Sequence, residues 1–175
     1  LMPRLNWSEY GVLRSLLSRL TSPPAVHPAE GFAATGAIKP LFFESLPYRG
    51  NSTRVFAWLG LPDGCPAKVP GVVLVHGGGG TAFKEWVQKW NDQGFAAISI
   101  AVEGQTDERI ANAPPGAQWK RHAAAGPART GIYGDSAEPL TDQWMYHAVA
   151  ATVLANSLLR SLPEVDATHV GICGI

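Results

Sequence analysis

The feature that most constrains the fold is a run of four glycines, residues 77–80, placed directly after a short apolar run at 71–75. The apolar run is rich in β-branched residues and carries no charge, which is typical of a strand buried on both faces of a parallel sheet. Thr81 is a suitable helix N-cap, and apolar residues then recur at helical spacing until Gly94. A second uncharged run, residues 95–102, completes a strand–turn–helix–strand unit. We therefore predict an α/β fold.

The segments on either side of this unit are predicted to form further strands and a helix. The further predicted elements are strands at 41–47 and 54–61, joined as an antiparallel hairpin, a long helix begun by Thr141 or Asp142 and closed by Pro163, and a third parallel strand at 168–173. The expected architecture is a doubly wound, mostly parallel sheet with the hairpin at its front.

Three segments set the domain organisation. Residues 6–20 predict an amphipathic helix through Leu13, Leu16, Leu17 and Leu20, and the Pro-rich residues 21–40 predict an irregular connector. The polar insert at 103–143 is too long for a plain connection, so we expect a binding or lid segment there. We thus assign residues 1–40 to an N-terminal helix and Pro-rich connector, and residues 41–175, with this insert, to the N-terminal part of an α/β domain.

Composition narrows the classes of partner. Fourteen basic and fourteen acidic residues give no net charge, so we expect no nucleic acid and no anionic membrane as a partner. No apolar run is long enough to span a membrane. The two cysteines, Cys65 and Cys173, cannot form a disulfide framework or a zinc site, and we expect a loop thiol and a buried thiol. The sequence starts without a signal-peptide core and leaves the compartment and the oligomeric state open.

The glycine run permits two kinds of chemistry. Its bare backbone N–H groups can hold an anionic atom, as the oxyanion loop of a hydrolase does, and His76 is then expected to orient the loop. Alternatively, Gly77, Gly79 and Ala82 fit a dinucleotide fingerprint with Glu103 as the ribose-binding acid, which would indicate an oxidoreductase. The strands before residue 71 and the long insert argue against that alternative. A P-loop is excluded, because no Gly-Lys-Ser/Thr follows.

Four stretches together carry a family resemblance. They are Val72 to Gly80, Trp144-Met145-Tyr146-His147-Ala148, Ser161-Leu162-Pro163-Glu164-Val165-Asp166, and Val170-Gly171-Ile172-Cys173-Gly174-Ile175. Over roughly residues 41–175 the chain resembles the acetyl xylan esterase and dienelactone-hydrolase-like branch of the α/β-hydrolases.

The resemblance implies a serine hydrolase that cleaves carboxylic esters through an acyl-enzyme, without a metal or cofactor, on small-molecule or carbohydrate esters. Gly174 and Ile175 match the first two positions of the Gly-x-Ser-x-Gly elbow, so the catalytic Ser, Asp and His are expected after Ile175. No complete elbow motif occurs in the 175 residues. The oxyanion donor carried over is Gly78, with Gly79 as the second choice.

The insert supplies candidates for a substrate pocket. Aromatic and cationic side chains of the types that line such pockets are Trp119, Arg121, His122, Arg129 and Tyr133, although packing of the loop explains them equally well. His147, at the start of a helix, is expected to be structural. A third hypothesis is a binding module without catalytic activity.

Overall fold

The computed structural model describes residues 7–64, 67–131 and 133–174, with backbone alone for residues 7–13. The predictions for the side chain of Leu13, for Cys65 and for Ile175 lie outside the described residues. The helices are α1 (Trp7–Thr21), α2 (Lys84–Asn91), α3 (Trp144–Arg160) and a 3-10 turn at Leu140–Asp142. The strands are β1 (Val26–Pro28), β2 (Lys39–Glu44), β3 (Arg54–Gly60), β4 (Val69–Val75), β5 (Ala96–Ile100), β6 (Gln105–Arg109), β7 (Trp119–Arg121) and β8 (Val165–Gly174).

Six strands form the main sheet in the order β1-β2-β3-β5-β4-β8. The strand β4 pairs in parallel with both β5 and β8, whereas β1, β2 and β3 extend the β5 edge by antiparallel pairing. Four of the six strands, β2, β4, β5 and β8, consequently point in one direction. The predicted parallel centre and the predicted hairpin, now β2 and β3, are both confirmed.

Helices cover both faces of this sheet. On one face, Leu154 and Leu158 of α3 and Leu20 of α1 pack with sheet residues such as Val73 and Ile98. On the other face, Val87 of α2 packs with residues that alternate with those, including Val72 and Ala97. The chain is therefore doubly wound, as expected.

The connector and the insert both contain strands that the sequence does not predict. β1 lies inside the expected connector 21–40, and β2 begins there, at Lys39. Pro28 makes a strand difficult to recognise in the sequence of this segment. An edge strand nevertheless tolerates proline, because no backbone N–H is needed on its open side. The insert likewise folds its strands β6 and β7 into a separate two-stranded sheet.

The predicted helix caps are wrong. The Thr81 hydroxyl is buried and donates to the Thr106 carbonyl at 2.9 Å, and α2 starts three residues later. At α3 the first N–H, that of Trp144, donates to the Asp135 carboxylate rather than to Thr141 or Asp142. In both cases a tertiary contact replaces the local one.

Cys173 is exposed, contrary to the expected buried thiol, because β8 has a described neighbour on one side alone. None of the helices in the described part of the chain is both long and apolar enough to cross a membrane.

Candidate active site

The parallel register gathers the candidate residues at one edge of the sheet. Val75 of β4 lies opposite Gly174 of β8 and opposite Ile100 of β5. The glycine loop that follows β4 and the segment that follows β5 therefore leave the sheet side by side. In open α/β sheets this carboxyl edge is where ligands bind.

His76 fixes the start of the glycine loop with both ring nitrogens. Its Nε2 lies 3.0 Å from the Val102 backbone N–H, which can only donate, so Nε2 must be the acceptor. The proton therefore sits on Nδ1, which donates to the Gly77 carbonyl at 2.7 Å. Burial lowers the pKa of His76, which favours the neutral ring that this pattern requires. The orienting role expected for His76 agrees with this geometry.

The peptide between Gly77 and Gly78 is consequently held from its carbonyl side. The Gly77 carbonyl accepts from His76 and also from the Gly80 N–H at 3.0 Å. Because a trans peptide points its N–H away from its carbonyl, the Gly78 N–H is aimed away from these partners. Gly78 is exposed, and among the described residues its N–H has no hydrogen-bond acceptor.

Gly79, the second predicted donor, has its N–H engaged. That N–H donates to the Glu103 carboxylate at 3.0 Å, and the Gly79 carbonyl accepts from the Gln118 amide at 2.9 Å and the Trp119 indole at 3.1 Å. The residue has a φ of +75°, and a Cβ there would lie 3.1 Å from the Gly116 Cα, so glycine is needed for both reasons. Gly78 is thus the better placed of the two donors.

The insert therefore acts as a clamp on the glycine loop. Besides the Glu103, Gln118 and Trp119 contacts, the Gln105 amide donates to the Gly80 carbonyl at 2.9 Å. The sequence predicts no role for Gln105 or Gln118, and the dinucleotide alternative gives Glu103 a different one. Their positions follow from how the insert folds back over β4, and no local pattern signals such a contact.

A cleft of about 410 Å³ opens beside this clamp. Of the predicted pocket residues, it is lined by Trp119, Arg121 and Arg129, together with Glu103. His122 and Tyr133 lie outside it. Tyr133 is 76% exposed, and the His122 ring packs edge-on against Phe42 at 4.8 Å between centroids. Burial, with Arg121 and Arg54 nearby, lowers the pKa of His122 to about 4.

The two arginines of the cleft differ in their partners. Arg121 donates to the backbone carbonyls of Glu103 and of Gly126. Arg129 lies 3.8 Å from the Glu103 carboxylate and over the Trp144 ring. A Cβ added at Gly78 would lie 2.6–2.8 Å from the Arg129 guanidinium.

His147 lies away from this cleft. It is buried, its Nε2 is 2.8 Å from the Thr141 carbonyl, and Tyr48 and Tyr146 pack against the ring. Its Nδ1 has no partner among the described residues and borders a cavity large enough for one water. These contacts match the structural role expected for it.

The chemistry available at this edge is that of hydrogen-bond donors. Within residues 7–64, 67–131 and 133–174, no group of three or more His, Cys, Asp or Glu side chains is arranged to hold a metal ion. The Glu103 carboxylate sits on the Gly79 N–H, where the dinucleotide hypothesis would place a pyrophosphate and where the two anions would repel.

Comparison with solved structures shows the fold. An acetyl xylan esterase from Paenibacillus sp. R4 superposes with a TM-score of 0.62 at 20% identity, covering 98% of this chain and 53% of its own. Acetyl xylan esterase 1 from Thermoanaerobacterium sp. JW/SL YS485 gives 0.62 at 17% identity, with 92% and 49% covered. A putative acetyl xylan esterase from Bacteroides fragilis NCTC 9343 gives 0.57 at 11% identity, with 96% and 46% covered. The chain thus has an α/β-hydrolase fold and spans about half the length of these proteins.

Comparison with curated protein sequences gave no significant match. Among family models, the one described as acetyl xylan esterase (AXE1) matches residues 31–175, well over half of the chain. This match and the carboxylate on Gly79 leave the dinucleotide hypothesis without support. The four sequence stretches, the topology and the family match agree, and the chain belongs to the acetyl xylan esterase family.

Proposed function

We propose that this chain supplies the oxyanion side of an active site that hydrolyses carboxylic esters through a serine nucleophile and an acyl-enzyme. The observation that carries the proposal is the Gly78 N–H, which is exposed and has no acceptor among the described residues while its peptide is fixed by His76. A donor that is rigid before the substrate arrives stabilises a developing oxyanion without reorganisation.

The nucleophile is proposed to follow β8. Because Gly174 lies opposite Val75, a residue shortly after β8 would stand beside the glycine loop that shortly follows β4. A serine there would attack the ester carbonyl, and the oxyanion would be bound by the Gly78 N–H and by the N–H after the serine. The serine and its Asp and His partners are proposed to lie in the half of the relatives' length that this chain does not span.

The proposed substrates are acetyl esters, including those of carbohydrates, and related small esters or lactones. The named activity of the matching solved structures supports acetyl esters. The cleft lined by Arg129, whose guanidinium lies against Gly78, supports a small substrate, because at about 410 Å³ it is within the size range of small-molecule sites.

The decisive experiment compares Gly78→Pro with Gly78→Ala in an enzyme carrying the complete hydrolase domain. Both changes bring a side-chain carbon against the flexible end of Arg129, but only proline removes the N–H. We expect Gly78→Pro to lower kcat by about 100-fold to 1000-fold on an aryl acetate, and Gly78→Ala to lower it far less. Equal kcat values in folded variants would place the oxyanion donor elsewhere.

The 175-residue chain provides a second test. Lacking a nucleophile and base of the proposed kind, it should hydrolyse an aryl acetate no faster than a complete enzyme whose serine is replaced by alanine. Turnover above that control that a serine-directed phosphonate abolishes would show that the nucleophile lies within these residues. A complete enzyme with no turnover and no phosphonate labelling would instead support the binding-module hypothesis.

A further inference from the structure

Arg129 is a half-buried cation whose hydrogen-bonding capacity is unused. Its side chain is 26% exposed, and no acceptor among the described residues lies within hydrogen-bond distance of its guanidinium. A guanidinium carries five N–H donors, and none of the Arg129 nitrogens is among the fully buried groups without a partner, so these donors are open to a ligand. The neighbouring Arg121, by contrast, donates to two backbone carbonyls.

Glu103 does not satisfy Arg129. The closest approach of the two groups is 3.8 Å, which is an ion pair without a hydrogen bond. Both carboxylate oxygens of Glu103 have other donors, since Oε1 accepts from the Gly79 N–H at 3.0 Å and Oε2 from the Gln105 amide at 3.4 Å. The Glu103 carboxylate is therefore committed to the loop, and the guanidinium is left for another anion.

The place of the guanidinium identifies where that anion would sit. The Arg129 guanidinium occupies the space that a Cβ at residue 78 would need, so it lies against the proposed oxyanion donor. The indole of Trp144 supports the guanidinium at 5.7 Å from the ring centroid. The charged residues that line the cleft are two arginines and one glutamate, so the cleft has one positive charge in excess.

We propose that Arg129 binds a carboxylate carried by the substrate close to the ester carbonyl, so that the enzyme selects anionic esters over neutral ones. The proposal rests on the proposed function and adds the substrate class. The planar fork of arginine matches a carboxylate with two parallel hydrogen bonds, and such charge-assisted pairs are stronger than neutral ones.

The kinetic test uses two aryl acetates that differ in charge, 3-acetoxybenzoate and its methyl ester, on the enzyme with the complete hydrolase domain. We expect the anionic ester to have the higher kcat/KM. Arg129→Gln should lower kcat/KM for the anionic ester by about 10-fold to 100-fold, mainly through KM, and change the neutral ester little. Arg129→Lys, which keeps the charge but loses the fork, should fall between.

The matched control is Arg109→Gln, since Arg109 lies on the Trp119 ring at 4.7 Å and belongs to the same insert. It should leave the preference unchanged. Equal losses on both esters with Arg129→Gln would overturn the proposal and assign Arg129 to the oxyanion itself. No preference for the anionic ester in the unmodified enzyme would also overturn it.

A binding measurement separates this proposal from the proposed function. Calorimetric titration with 3-hydroxybenzoate, which carries the carboxylate but no ester bond, needs no turnover, so it decides the role of Arg129 even if neither ester is hydrolysed. We expect saturable binding that Arg129→Gln weakens at least about tenfold and Arg109→Gln does not. Binding that is absent, or equal in all three proteins, would overturn the proposal.

Discussion

At the residue scale, His76 and His122 show how burial determines which tautomer and charge a histidine can carry. The Val102 N–H requires an acceptor from His76, so protonating this ring would set its Nε2–H against the Val102 N–H, while Nδ1 would continue to donate to the Gly77 carbonyl. Burial also lowers the pKa of His122, to about 4. The folded state therefore binds a proton at each ring less readily than an ordinary histidine with a pKa of about 6.5 does, and at His122 only near pH 4.

A first prediction concerns pH and stability. Between pH 6.5 and about 4 the unfolded chain binds a proton at His122 that the folded chain does not. The free energy of unfolding should therefore decrease as the pH is lowered across that window. His122→Leu removes this uptake and should flatten the decline in urea unfolding measured at pH 7, 6 and 5. His169→Gln, at an exposed histidine, is the control and should retain the slope. Parallel declines in wild type and His122→Leu would contradict the prediction.

Sequence patterns indicate contacts of the candidate site only where a residue is tied to its own loop. Gly78 lies two residues after His76 in the chain, and the placement of His76 follows from its position just after a buried strand. The dinucleotide alternative gives Glu103 a ribose-binding role, whereas its observed contact is with the Gly79 N–H, 24 residues away in the chain. Contacts across such a separation depend on how the insert folds, which local periodicity does not encode.

At the scale of elements, the first turn of α3 is capped by Asp135, which lies nine residues before Trp144 in the chain. The Asp135 carboxylate accepts the Trp144 N–H and places a negative charge at the positive end of the helix. We predict that Asp135→Ala lowers the free energy of unfolding by about 1 kcal/mol, whereas Asp135→Asn, which keeps an acceptor, loses less. Denaturant unfolding measures both.

The control for this cap is Glu138→Ala in the same loop, whose exposed carboxylate lies 3.8 Å from Arg49. Such surface pairs contribute little, so this variant should unfold like the wild type. A loss at Glu138 equal to that at Asp135 would show that the loop as a whole, rather than its cap, stabilises α3.

The clamp formed by the insert leads to a prediction about turnover. Trp119→Phe keeps the ring but removes the indole N–H that reaches the Gly79 carbonyl. We expect kcat on an aryl acetate to fall roughly fivefold in the complete enzyme, with KM retained, because a positioning bond is lost and the cleft wall stays. Trp86→Phe on α2 is the matched control. A rise in KM at constant kcat would mean that Trp119 contacts the substrate instead.

Elements were predicted best where they are buried on both faces. The uncharged runs of β4 and β5 and the periodic α3 were recognised, because burial leaves a strong pattern in the sequence. The strands β1, β6 and β7 were missed because they lie at an edge or in a small separate sheet, where polar residues and proline are tolerated.

At the scale of the whole molecule, the outer side of β8 is the least protected part of the sheet. β8 pairs with β4 on one side, and no described strand lies on the other. Its final residues, from Val170 to Gly174, carry no charge, and Ile172 is 57% exposed. Beside it, the side chains of Trp86 and Trp90 line an apolar groove that reaches Cys173. An uncharged, unpaired strand next to exposed apolar surface is a template for pairing with another chain.

We therefore predict that the 175-residue chain self-associates through β8. Ile172→Lys should shift it towards monomer, because a charge on an edge strand opposes pairing in a second sheet. Val149→Lys is the matched control, since Val149 is also apolar and exposed, at 55%, but lies on α3. Sedimentation velocity under reducing conditions, which exclude disulfides through Cys173, measures the distribution. If Val149→Lys reduces the association to the same extent as Ile172→Lys, the association is a nonspecific hydrophobic one. If the wild-type chain remains monomeric at high concentration, pairing through the β8 edge is refuted.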